Sequence, residues 1–139
     1  MSAPLRHRMR VRYAECDPQG IVFNPRYLEY FDHAITELYR AALGSYDALA
    51  REHDVDLVVA EAGVRFRSSL RFDEEFDLQI AVASLGTTSI VTRIRVVNLD
   101  GSEAAEGELR HVVVTRDDGS RTPIPEAVRA ALEPFCSSN

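Results

Sequence analysis

Between Tyr13 and Tyr27 the chain reads Tyr-Ala-Glu-Cys-Asp-Pro-Gln-Gly-Ile-Val-Phe-Asn-Pro-Arg-Tyr. A carboxylate, Asp17, closes a strand-like stretch. The Asp17-Pro18-Gln19-Gly20 turn follows, and Asn24-Pro25 then opens a helix, since Asn caps free amides and Pro suits the first helical position. The opening N–H groups of a helix lack internal partners and carry partial positive charge. They can therefore receive an oxygen on which negative charge develops. Gly20 lets the backbone come close to a ligand. An acyl thioester would find here amides for its carbonyl oxygen and Asp17 for its carbonyl carbon, as nucleophile or as base holding water. Aspartate is a weak base at neutral pH, so positioning must compensate, and oriented reactants can gain roughly 7–11 kcal/mol. Asp-Pro-x-Gly is equally the sequence of a plain turn, and spacing alone does not separate the two readings.

Other chemistry-bearing residues carry weaker signals. Cys16 has no His nearby in sequence, and strand alternation points it away from Asp17, so it reads as a packed thiol. Glu29, His33 and Glu37 stand at i, i+4 and i+8, a spacing that can gather metal ligands, but without an HExxH motif they read as a solvated helix face and no metal is expected. His7, His53 and His111 have no motif around them. Ser68 and Ser69 lack a nucleophile elbow, and Gly86 and Gly101 belong to no phosphate loop.

The elements that must position these groups follow from hydrophobic period. Arg8 to Cys16 reads as a first strand. From Pro25, Tyr27, Leu28, Phe31, Ala34, Ile35, Leu38 and Ala42 recur on one helical face, and Gly44 makes a C-terminal stop. A short helical piece falls within Ser45–Asp56. The period then becomes two: Val64 to Phe72, Phe76 to Val82 and Ile90 to Val96 alternate, Asp100-Gly101 is a hairpin turn, and Glu103 to Arg116 runs back. Pro125 starts a helix reaching about Leu132. The expected fold class is α+β: a mainly antiparallel sheet of about five strands wrapped around one long central helix, as a single domain over residues 1–139.

Composition agrees with an ordinary globular domain. The chain has 139 residues, is 45% hydrophobic and 27% charged, and carries a net charge of −6. That acidic balance argues against nucleic acid as a partner. No apolar stretch approaches the ~20 residues of a membrane span, and Met1 to Arg10 has no signal-peptide core, so a cytoplasmic protein is expected. Cys16 and Cys136 form no disulfide framework or metal spacing.

Tyr13, Glu15-Cys16-Asp17-Pro18, Gly20-Ile21-Val22 and Asn24-Pro25-x-Tyr27 resemble the signature of the 4-hydroxybenzoyl-CoA thioesterase family, and the likeness runs through nearly the whole chain. The resemblance implies a hotdog fold, hydrolysis of acyl-CoA thioesters, no cofactor beyond the CoA of the substrate, and active sites at the interface of a homodimer assembled into a homotetramer. It implies that Asp17 is the catalytic carboxylate and that a backbone amide at about Asn24 polarises the carbonyl. Ile21, Val22, Phe23 and Tyr27 are candidates for the acyl pocket. The CoA phosphates would fall to Arg65, Arg67 and Arg71, read as one strand face, and to the turn with Thr88 and Ser89. That turn carries no positive charge here, unlike relatives that prefer 4-hydroxybenzoyl-CoA. Related hydratases place a His shortly after Asn-Pro, where this chain has Tyr27. An acyl-carrier-protein thioester, or a non-catalytic acyl-binding module, are the alternatives.

Overall fold

A computed structural model describes residues 5–137. The elements are β1 (Leu5–Arg10), α1 (Arg26–Leu43), α2 (Ala48–His53), β2 (Val55–Phe66), β3 (Glu75–Leu85), β4 (Ser89–Asn98), β5 (Glu103–Thr115) and α3 (Glu126–Leu132). One five-stranded sheet has the order β1-β3-β4-β5-β2, and every pairing in it is antiparallel. β3, β4 and β5 form a meander, as consecutive hairpins require. β2 crosses to the far edge and pairs with β5, so α1 is held between the two strands that flank it in sequence.

The sheet sorts its side chains by period two. Phe76, Leu78, Ile80 and Val82 of β3, and Ile90, Ile94 and Val96 of β4, are buried against Phe31, Ala34, Ile35 and Leu38 of α1. The helix stripe differs from expectation at its margins. Leu28 is exposed, whereas Tyr30 and Tyr39 are buried. Gly44 ends the helix in the left-handed region at φ 90°, where only glycine is at ease. This is the expected architecture, one long helix wrapped by an antiparallel sheet, and it is the hotdog arrangement. No helix among the described residues is long and apolar enough to cross a membrane.

Two strands fall elsewhere than their alternation suggested. The first ends at Arg10, and Tyr13–Glu15 form a 3-10 turn. β2 occupies Val55–Phe66, so the alternating run from Val64 to Phe72 is only partly strand. At its end Ile21 bridges Arg71, and Val22 donates its N–H to Leu70 O at 2.9 Å. These residues have left the sheet to hold the Asp17 loop.

The outer face of the sheet is a lattice of alternating charge. Arg8 pairs with Asp77, Arg95 with Glu103, Arg93 with Glu108 and Arg110 with Glu61. Such cross-strand pairs contribute little individually when exposed.

Candidate active site

Residues 11–23 form a tightly tied loop beneath the start of α1. Val11 N–H donates to Glu74 O at 2.9 Å, Phe23 N–H to Glu15 O at 2.9 Å, and Asp17 N–H to Ile21 O at 2.9 Å. Gly20 closes the turn with its N–H on Asp17 O at 2.9 Å, in the left-handed region at φ 80°. Glu15 anchors the loop from below and is buried. Its Oε1 accepts from Arg12 N–H and from the Tyr30 hydroxyl, both at 2.8 Å, and its Oε2 accepts from Arg12 Nε at 2.9 Å. Burial by itself pushes the Glu15 carboxyl up, but the Arg12 amide, the Tyr30 hydroxyl and the Arg12 guanidinium together hold it below the usual carboxylate range.

Asp17 lies on a half-open cleft of about 530 Å³ lined by Tyr13, Cys16, Asp17, Pro18, Gly20 and Phe72. Its Oδ1 accepts the Gln19 N–H at 2.8 Å, an Asx turn that fixes the carboxylate plane. Its Oδ2 has no hydrogen-bond partner among the described residues. Thus one oxygen orients the group and the other remains open to chemistry. Tyr13 and Phe72 stack edge to face at 5.8 Å and supply an aromatic wall. Cys16 shares the cleft with Asp17, although alternation pointed the two apart; the 3-10 turn before it breaks the strand geometry on which that expectation rested. Burial pushes the Cys16 thiol up, and the charges of Glu15 and Asp17 push it further, so it is poorly suited to act as a thiolate.

The helix itself begins at Arg26, with Pro25 already in helical dihedrals and no side chain capping it. Asn24 therefore does not cap, contrary to its residue type. Its backbone is more informative. Between Val22 and Leu28 the amides of Val22, Phe23, Arg26, Tyr27 and Leu28 all donate to backbone carbonyls. Pro25 has none to give. The Asn24 N–H is the amide of this segment with no partner among the described residues. Of the pocket candidates, Ile21 is half-buried, Phe23 is exposed, and Val22 and Tyr27 lie in the core at 2% exposure each.

The three arginines do not share a strand face, because β2 ends at Phe66. Arg65 approaches Glu106 at 3.8 Å, and Arg67 bonds Glu106 at 2.7 Å and Glu103 at 3.2 Å. Arg71 adjoins Ile21 through a backbone bridge, and its guanidinium has no ion-pair partner among the described residues. A second cleft, about 680 Å³, is lined by Gly63, Val64, Arg65, Arg93, Glu106, Gly107 and Glu108. Glu106 and Glu108 offset its arginines, which makes it a poor seat for a polyanion. Thr88 O accepts the Val113 N–H at 2.8 Å, and Ser89 O accepts the Gly86 N–H at 2.8 Å. That turn is committed to structure through its carbonyls.

Sequence reasoning missed Glu15 and Tyr30 as a pair and Phe72 as a cleft wall. Glu15 directly precedes Cys16-Asp17, and the capping pattern of Arg12 with Glu15 three residues on is a local signal of a turn. Tyr30 carries no comparable signal.

Comparison with known proteins shows the family. A family model described as "Thioesterase-like superfamily" matches residues 11–132. The chain is 31% identical over 125 residues to the acyl-CoA thioester hydrolase YbgC of Escherichia coli O157:H7, covering 90% of this chain and 92% of that protein. The crystal structure of a hypothetical protein from Thermus thermophilus, 31% identical, superposes with a TM-score of 0.82 over 94% of this chain and 98% of the other. One from Aquifex aeolicus, 26% identical, superposes with a TM-score of 0.86 over 94% and 100%. With its sheet wrapped around one helix and its carboxylate loop before that helix, the chain belongs to the thioesterase-like superfamily.

Proposed function

We propose that this chain is an acyl-CoA thioesterase that uses Asp17 as its catalytic carboxylate. The observation that carries the reading is an Asp17 oxygen left open in a cleft; an unengaged Asn24 amide just before α1, outside that cleft's lining, supports it. In the reaction, water oxygen becomes bonded to the acyl carbon, the carbon–sulfur bond breaks, and the CoA thiolate takes up the proton released by water. Asp17 Oδ2 either accepts that proton or attacks first, giving an anhydride that water opens. The Asn24 N–H receives the charge that grows on the carbonyl oxygen. Gly20, Ile21 and Phe23 border the acyl group, and Val22 and Tyr27 support them from the core. Arg71 holds CoA phosphate, because its guanidinium alone of those of Arg65, Arg67 and Arg71 has no carboxylate partner among the described residues, Glu74 accepting only its backbone N–H. Thr88 and Ser89 contribute hydroxyls to the nucleotide. No cofactor enters the reaction, since CoA arrives as part of the substrate, and such substrates place the enzyme in the cytoplasm.

The working unit is a homodimer, two of which form a tetramer. The support is β2, a 12-residue strand at the sheet edge with Val58, Val59 and Phe66 about half exposed. A long apolar edge is a template for pairing with a second copy.

The test is thiol release from aryl-, short-, medium- and long-chain acyl-CoAs and from acyl-carrier protein. Asp17→Asn keeps an acceptor for the Gln19 amide while removing the charge, so kcat should fall by roughly 10²–10⁴ with the fold intact. Full activity of Asp17→Asn would overturn the assignment. Binding without thiol release across the panel would mark an acyl-binding module instead. Label recovered in the Asp17 carboxylate after single turnover in ¹⁸O water would mark attack, because Asp17 acquires it only when water opens an anhydride at the Asp17 carbonyl.

A further inference from the structure

We propose that His7, His33 and Glu37 form a binding site for a zinc-type divalent ion that clamps β1 to the middle of α1. His7 lies on the edge strand β1 and His33 and Glu37 stand one turn apart on α1. Their Nε2 atoms are 3.2 Å apart. The two rings thus face each other edge-on through these nitrogens, with centroids 5.0 Å apart. Glu37 reaches His33 Nε2 at 3.7 Å through Oε2 and His7 Nδ1 at 3.8 Å through Oε1. One ligand atom from each residue lies within 4.8 Å of the other two.

These distances suit a tetrahedral ion. Zinc holds imidazole nitrogen at about 2.0–2.1 Å, which sets two such ligands about 3.3 Å apart. The observed nitrogen pair is already there, and Glu37 Oε2 lies 3.7 Å from the His33 member of it, so the carboxylate must move in to join them. The donor set of two imidazoles and one carboxylate favours zinc and its late transition-metal neighbours over magnesium or calcium, which prefer oxygen. Water would complete the fourth position. Arg40 also donates to both Glu37 oxygens, to Oε1 at 3.3 Å and to Oε2 at 3.4 Å, so a bound ion would share the carboxylate with that guanidinium. None of the three ligands lines the Asp17 cleft, so the ion would pin strand to helix rather than take part in hydrolysis, and the inference stands independently of the proposed reaction.

The test uses the full chain without a histidine tag. Zinc titration by calorimetry, with cobalt absorbance as a spectroscopic probe of tetrahedral ligation, should show one equivalent per chain. Loss of an outer ligand partner weakens metal sites by roughly 10–100-fold, and loss of a direct ligand should do no less, so His33→Ala and His7→Ala should each bind at least that much more weakly. Zinc should raise the thermal midpoint of the wild type and of a His53→Ala control, but not of these variants. Glu37→Gln tests the third ligand while leaving both rings in place. Absence of zinc binding by the wild type, or wild-type affinity in both histidine variants, would overturn the proposal.

Discussion

The hydroxyl of Tyr30, on the second turn of α1, donates to Glu15 Oε1 at 2.8 Å and so fastens the loop that carries Asp17 to the helix that follows the Asn24 amide. Burial pushes the Tyr30 hydroxyl well above its ordinary range, and its bond to Glu15 adds to this. Tyr30 thus remains a donor at any working pH.

Removing that donor leaves a buried carboxylate short of one partner. Tyr30→Phe should cost about 1–3 kcal/mol of stability, read by denaturant unfolding. The Asp17 loop should also become more mobile, seen as faster hydrogen exchange at Phe23, whose N–H bonds Glu15 O.

The pH dependence follows from the same carboxylate. Glu15 is held below its ordinary range in the folded chain. Its contribution is therefore present above the unfolded value, about 4.3, and is lost as pH falls through the folded value. The stability advantage of the wild type over Glu15→Gln should be constant from neutral pH to about 5 and shrink in more acidic solution. Unfolding curves at a series of pH values check this, and an advantage unchanged at low pH contradicts it.

Arg71 should act on binding more than on chemistry. Losing a charge-assisted contact costs about 1.5–3 kcal/mol. Arg71→Ala should then raise KM about tenfold or more with kcat little changed, the pattern of an interaction equal in ground and transition states. Arg67→Ala should change KM less, since Glu103 and Glu106 already engage that guanidinium. Steady-state kinetics with acyl-CoA separates them.

Gly107 is a packing position. A Cβ there would meet the Gly63 carbonyl oxygen and lie 2.5 Å from the Phe31 ring. Gly107→Ala should destabilise the fold by about 1–3 kcal/mol or more through overpacking, seen in thermal unfolding. Gly63→Ala, with nothing within 4 Å of its added carbon, should be much milder.

The free edge of β2 gives the last test. Val59→Lys places a charge on an apolar edge residue that is 52% exposed. Light scattering should show the assembly falling toward monomer, because an edge lysine opposes strand pairing.

The long helix, the meander and the Asp17 turn were legible because each rests on local spacing: the i, i+3, i+4 recurrence of Phe31, Ala34, Ile35 and Leu38, the alternation of Phe76 to Val82, and Asp-Pro-Gln-Gly. β2 was misplaced because an edge strand buries few side chains. Val58, Val59 and Ala60 are all exposed, so its alternation is faint, while Val64 to Phe72 alternates across residues that turn away to hold Ile21 and Val22. The contacts between Glu15 and Tyr30 and between His7 and His33 join distant positions, and no local period announces them.

The placing of β2 at the margin opposite β1 also bears on how the chain assembles. The β3–β4–β5 meander can zip from its own turns, whereas Val55 must find Thr115 and Leu5 must find Ile80. Those remote closures carry the larger entropic toll, and folding should wait on them. α1, tethered to both margins, should then be swallowed by the sheet only as they dock.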